Sequence, residues 1–262
     1  MQSELDNHIE AFLKLELDKV VDFEKFNRIA IVHHSSAIEG STLTLEETTM
    51  LITEGITAKG KPMNEHQMVN DHYSALLFCL EAASKKTPVT ISFLKQINSL
   101  VNKNTGQLHN LALGVCDDTK GDFRLGNVRA GTAYFVNYDK VPTLTERLCT
   151  ELAGRINEVK TNEEVYNLSF DAHFNLVSIH PWFDGNGRTS RLMMNYIQAY
   201  HNKPLSVVLI EDKPSYIKAL DGTREKNDIT IFRKFMFHQL FKYLETETEK
   251  YSKGKSGFTF MF

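Results

Sequence analysis

The chain has 262 residues, 42% of them hydrophobic and 24% charged, with a formal net charge of −3; it can bury a sizeable core, and neither a disordered chain nor a strongly basic nucleic-acid binder is indicated. Cys79, Cys116 and Cys149 lack metal-ligand spacing, and an odd count argues against a disulfide framework and for a reducing compartment. The N-terminus shows no secretion signal and no apolar run reaches the roughly eighteen residues of a membrane helix, so a cytoplasmic protein with no membrane partner is expected.

In chain order, Phe23, Phe26, Ala30, His33 and Ala37 recur at spacings of three and four, which predicts an amphipathic helix over 22–38, stopped by Gly40. Glu39 stands in its last turn, where a carboxylate faces the negative end of the helix dipole, a misfit that invites a functional explanation. Thr44-x-x-Glu47 reads as a capping box opening the next helix. Asn64-x-x-Gln67 opens a longer one to about Ala83, and Thr87-Pro88 breaks it. Thr90 then caps a short helix carrying Phe93, Leu94, Ile97 and Leu100. Between Gly121 and Val136, turn residues and β-formers without helical period predict a β-hairpin; the competing reading is a solvated loop with two incidental arginines, Arg124 and Arg129. Leu144, Leu148, Leu152 and Ile156 mark a helix after Pro142, and another over about 163–178 leads to the stretch that carries chemistry.

That stretch is His180-Pro-Trp-Phe-Asp184-Gly185-Asn186-Gly187-Arg188-Thr-Ser-Arg191. It reads as a loop turning into a helix start. Gly185 and Gly187 allow positive φ or a close approach of backbone to ligand. The free amides of the first helical turn then point at the loop, where an anion is the natural occupant. Arg188 adds a fork suited to phosphate, and Arg191 follows one turn on, near the same face. Asp184 is a hard oxygen ligand for a phosphate-bound Mg²⁺ or Mn²⁺, and His180 is the group suited to taking a proton near neutral pH. Together these residues specify a phosphoryl-transfer site. Beyond them, 206–210 is a short apolar extended piece, Lys213-Pro214 starts another helix, a last helix covers about 229–244, and the tail over 252–257 reads as flexible.

The window resembles the signature of the Fic family, His-x-Phe-x-(Asp/Glu)-Gly-Asn-Gly-Arg-x-x-Arg. It matches at His180, Asp184, Gly185, Asn186, Gly187, Arg188 and Arg191, and departs at Trp182, where the family has Phe. Ser35-x-x-x-Glu39-Gly40 is similar to the family's inhibitory-helix motif, (Ser/Thr)-x-x-x-Glu-(Gly/Asn). Its place ahead of the catalytic window resembles the intramolecularly inhibited class. The resemblance implies an all-α, mainly helical Fic fold with a small β-hairpin flap. Residues 1–86 would form a helical region carrying the inhibitory helix, 87–248 the catalytic core, and 249–262 a tail.

The activity implied is transfer of AMP from ATP to a hydroxyl side chain of a target protein. His180 would be the base and Asp184 the metal ligand. The loop amides, with Asn186 and Arg188, would stabilise charge, and Arg191 would grip the γ-phosphate. The resemblance pairs Glu39, on the motif begun by Ser35, with Arg191, so the carboxylate stands where that phosphate would sit. The hairpin becomes a flap along which a target segment pairs by its main chain, with Ala130, Gly131, Thr132 and Ala133 nearest the ligand, and Tyr216 borders the adenine. Alternatives are the reverse reaction, with Glu39 orienting water to remove AMP, transfer of another phosphate-containing group, and, from a different class, a helical regulator that holds nucleotide without chemistry. Nucleic acid is not an expected partner, and the oligomeric state, a homo-oligomer included, is left open.

Overall fold

The computed structural model describes residues 2–16, 23–130 and 133–255. Among these, the elements in order are α1 (Gln2–Leu13), α2 (Phe23–Ile38), α3 (Leu45–Glu54), α4 (Met63–Ser84), α5 (Ile91–Val101), the hairpin β1 (Leu108–Leu111) and β2 (Gly114–Asp117), the hairpin β3 (Arg129–Ala130) and β4 (Ala133–Tyr134), α6 (Val141–Arg155), α7 (Asn162–Ile179), α8 (Asn186–Tyr200), α9 (Lys213–Lys226) and α10 (Ile229–Lys255). The predicted all-α fold with a small hairpin is what forms.

The architecture is built around α8. Its residues are buried from Arg188 through Gln198 without a solvated face, as a helix surrounded by others must be. Helices α4, α5 and α7 pack along it, and α2 crosses near its start. One cluster of buried apolar side chains runs from Leu5 to Leu244, so α1 to α4 share a core with the helices that follow.

Local signals explain most boundaries. The Thr44/Glu47 capping box forms, and α3 ends at Gly55 in the left-handed region, φ 72°. Thr90 caps α5 by accepting from the Phe93 amide. A second capping box, Thr161 with Glu164, opens α7. Two helical readings shift. Helix α4 begins after Pro62 and without a side-chain cap, so Asn64 lies inside it. In α2 the buried residues are Phe23, Ile29, Ile31, Val32, Ser35, Ser36 and Ile38, whereas Phe26 is 50% exposed; Phe23 faces inward as expected, and the serines turn in with it. Residues 206–209 are extended without a sheet partner, and side chains satisfy their backbone instead: the Ser206 amide donates to Gln198 Oε1 and the Leu209 amide to Gln239 Oε1. The expected hairpin over 121–136 is confined to a two-residue ladder. The β1–β2 hairpin was not foreseen, and α10 continues to Lys255.

Candidate active site

The loop between α7 and α8 is fixed from three sides. Trp182 is fully buried, and its indole Nε1 donates to the Gly121 carbonyl at 3.0 Å, so the larger ring at this position is accommodated and given a hydrogen bond. The Asn186 side chain closes the loop on itself: it accepts from the Trp182 amide at 3.1 Å and donates to the Trp182 carbonyl at 2.9 Å. From α5, Asn98 and Asn102 donate to the Asp184 carbonyl at 3.1 and 3.3 Å. Gly185 sits at φ +79°, and a Cβ there would stand 2.7 Å from Asn98 Nδ2, so both the conformation and the close approach require glycine.

Arg124 supplies the third side. Only 1% exposed, it donates from Nε to the His180 carbonyl at 2.7 Å and from Nη1 to the Gly126 carbonyl at 2.7 Å, while Nη2 reaches the Val136 carbonyl. One guanidinium thus ties the end of α7 to both ends of the flap segment.

His180 terminates α7 in the left-handed region, φ 53° and ψ 63°, a conformation unusual for a residue with a side chain and one that turns the imidazole out of the helix axis. Its Nδ1 lies 3.3 Å from the Val177 carbonyl. A carbonyl only accepts, so Nδ1 carries the proton and Nε2 presents a lone pair. Burial pushes the imidazole pKa down to about 4, against the Val177 hydrogen bond and with help from Arg124 and Arg224. The ring is therefore neutral at physiological pH, as a proton acceptor must be.

Helix α8 starts at Gly185 with no side-chain cap, so its first amides remain for an anion. Beside that start lies the Glu39 carboxylate. Its Oε1 accepts from Arg191 Nη2 at 2.6 Å and lies 2.3 Å from where a Gly187 Cβ would stand. Any side chain at residue 187 would force the carboxylate to shift. Arg191 is held by further contacts: Nε donates to Ser35 Oγ at 2.8 Å, Nη2 to the Ser35 carbonyl at 3.0 Å, and Nη1 lies 3.5 Å from the Tyr216 hydroxyl. Burial works against a charge on Glu39, yet Arg191 first, then Arg188 and Lys213, hold its carboxyl below the ordinary value. The side chain of Glu39 is still 34% accessible against 4% for Arg191. The carboxylate faces outward and the guanidinium lies beneath it.

Several expected site residues take other places. Asn186 and Arg188 were aimed at the transferring group, but both are turned into protein. Arg188, 2% exposed, donates to the Val101 carbonyl at 3.0 Å, Asn102 Oδ1 at 3.2 Å and Asp184 Oδ2 at 3.3 Å. Tyr216 is 2% exposed, with its hydroxyl 2.9 Å from His173 Nε2; it lies beneath Arg191 and offers no face to a base. Asp184 stays outward, its side chain 58% exposed, and its Oδ1 accepts from the Gly185 amide at 2.6 Å. Ala130 and Ala133 pair across the flap, and Gly131 and Thr132 lie outside the described residues. Arg124, Asn98, Asn102, His173 and Phe135 escaped the sequence reading. Only Arg124, between glycines in a turn-rich stretch, left a local signal.

Residues 88–198 match the Fic/DOC family. The protein adenylyltransferase Fic of Drosophila willistoni is 29% identical over 206 residues, 78% of this chain and 38% of that protein. That of Drosophila melanogaster is 29% identical over 210 residues, with 78% and 39% covered. The chain thus spans about two fifths of the length of these curated relatives. Among solved structures, a Fic domain-containing signaling protein from Bacteroides thetaiotaomicron superposes with a TM-score of 0.80 at 22% identity, covering 95% of this chain and 97% of that one. Fic-1 from C. elegans gives 0.74 at 22% identity, with 96% and 72% covered. Residues 88–198 thus match the Fic/DOC family, and the fold around them is the one shared with solved Fic proteins.

Proposed function

We propose that the chain transfers AMP from ATP to a hydroxyl side chain of a target protein and that Glu39 holds this activity off. The observation that carries the proposal is the Glu39 carboxylate bound to Arg191 at 2.6 Å over the uncapped start of α8, beside a neutral His180. A carboxylate in that place marks where an anion binds and at the same time denies it to a nucleotide. With Glu39 withdrawn, Arg191 grips the γ-phosphate and the first amides of α8 take up charge on the phosphates. Nε2 of His180 removes the proton of the target hydroxyl as its oxygen attacks the α-phosphorus. The bond to the oxygen bridging the α- and β-phosphorus breaks, and pyrophosphate leaves with those electrons.

Asp184 fits a Mg²⁺ ligand: it is an outward carboxylate, 58% exposed, of the hard oxygen type that Mg²⁺ takes, and it would hold the ion beside the phosphates. Bound there, the metal would neutralise phosphate charge. The flap offers main-chain edges for a target segment, which asks little of the target's sequence. Cys79, Cys116 and Cys149 are free and buried, which fits a reducing compartment, and no described helix is long and apolar enough to cross a membrane; we place the protein in the cytoplasm. The test is to incubate Glu39→Gly with ATP labelled at the α-phosphate in a cell lysate. Labelled protein that disappears with Glu39→Gly/His180→Ala supports the proposal, and labelling indifferent to His180 overturns it.

A further inference from the structure

Phe135, the residue after β4, lies face to face on the His180 imidazole, with ring centres 3.8 Å apart and planes 16° from parallel. The guanidinium of Arg224 lies over the same phenyl ring, 5.5 Å from its centre. Arg224 is itself anchored, donating from Nε to Ser178 Oγ at 3.3 Å and from Nη1 to Asp221 Oδ1 at 2.9 Å. Flap, α7 and α9 therefore meet in one stack against the imidazole. The backbone is arranged for it, since Arg124 bonds both the His180 carbonyl and that of Val136, next to Phe135.

We propose that Phe135, backed by Arg224, is a positioning residue for the general base: it clamps the imidazole of His180 with Nε2 outward and couples that orientation to the flap. The proposal rests on the adenylyl-transfer reading only in calling His180 the base. Its physical ground is that the remaining restraint on the ring, the 3.3 Å contact from Nδ1 to the Val177 carbonyl, is long for a hydrogen bond and leaves the ring free to rock. A phenyl face at stacking distance removes that freedom and excludes water from one side of the imidazole. The flap carrying Phe135 is a ladder of two residue pairs, so the stack on His180 ties the flap to the site as much as it ties the ring to the flap. The charged groups facing the ring are Arg124 from the flap's base and Arg224 from α9, which disfavour an imidazolium, and Glu39 from α2, which favours it.

The experiment is NMR of protein labelled in its histidine rings, with His180 assigned by difference from His180→Ala. Tautomer and protonation are read at pH 7 and pH 5.5 in wild type, Phe135→Ala, Phe135→Tyr and Arg224→Met. In wild type the ring stays neutral at both pH values, with the proton on Nδ1. Phe135→Ala admits water, raises the pKa by roughly one unit or more and mixes the tautomers. Phe135→Tyr, which keeps the stack, restores both, and Arg224→Met gives a smaller rise. In the Glu39→Gly background, Phe135→Ala lowers the rate of AMP transfer about tenfold or more with KM for ATP unchanged, and Phe135→Tyr recovers it. An unchanged tautomer and protonation of His180 in Phe135→Ala, or no recovery with tyrosine, overturns the proposal. If the NMR changes appear while no variant transfers AMP, the positioning role stands and the adenylyl-transfer reading falls.

Discussion

Arg188 and Arg191 stand one turn apart on α8, both nearly excluded from solvent, and they have opposite jobs. Every protein acceptor of Arg188 (Val101, Asn102 and Asp184) belongs to α5 or to the catalytic loop itself. Arg191 is bound by Ser35 and Glu39 on or just beyond α2, and by Tyr216 on α9. The first arginine welds the loop to the scaffold. The second is held by a partner whose side chain is 34% accessible. On the proposed function, withdrawal of that partner is what frees the second arginine for a ligand, a release the first arginine's buried acceptors do not offer.

The largest effect is expected from breaking the weld. Arg188→Ala strands buried acceptors on α5 and in the loop, and loss of one partner from such a buried network costs about 3–5 kcal/mol. Urea denaturation should show it, and Glu39→Gly should not rescue AMP transfer in that variant. A stability within 1 kcal/mol of wild type, estimated on the scale of a surface change, would end the contrast between the two arginines.

Removing the plug comes next. Glu39→Gly should lower the urea midpoint by less than Arg188→Ala does, because Ser35 still accepts from Arg191, and should tighten ATP binding by about 5- to 150-fold, the range of an ordinary coupling free energy. Calorimetric titration measures it, and Arg191→Ala in the same background should cancel the gain. Unaltered ATP affinity in Glu39→Gly would mean that the carboxylate does not occupy the nucleotide's place. Tyr216→Phe is a finer probe of the same arginine. Losing one hydroxyl beside Arg191 should weaken ATP binding by about 0.5–1.5 kcal/mol in the Glu39→Gly background. A larger loss would restore Tyr216 as a direct ligand contact.

How much of this was written in the sequence depends on distance along the chain. His180, Gly185, Gly187, Arg191 and Glu39 were legible because two short motifs hold them, and because the backbone demands glycine at residue 185 while the Glu39 carboxylate crowds residue 187. Asn186 and Arg188 were legible as important but not in direction, since a motif lists residue types and not the face each turns. Arg124 acts on His180 from 56 residues away and Asn98 on Asp184 from 86, contacts that no local pattern encodes. Phe135 and Tyr216 were obscured in the same way, because their roles come from the rings and charges packed beside them. The helices were read from their periodicity, whereas the short β1–β2 hairpin, with exposed Leu108, Leu113 and Val115, shows no clean alternation to read.

The smallest expected effect concerns the histidines around the two arginines. Burial first, then Arg188 and Arg191, keeps His72 well below its ordinary pKa; burial, then Arg191 and Arg224, does the same for His173. A histidine whose folded pKa lies below its unfolded value binds its proton more readily in the unfolded chain, so stability falls as pH drops below about 6.5. Glu39 works in a different window. Its folded pKa is lowered, so its contribution is complete at neutral pH and is lost only in acid, as pH falls below the ordinary carboxylate range. Taking the protein from pH 7 to pH 6 should therefore cost about 0.7 kcal/mol for each such histidine. His72→Gln or His173→Gln should flatten the slope by that amount, and Glu39→Gly should leave it unchanged. Thermal melts across that interval decide the matter: a slope that disappears with Glu39→Gly would show that acid acts through the plug and not through the buried rings beside the arginines.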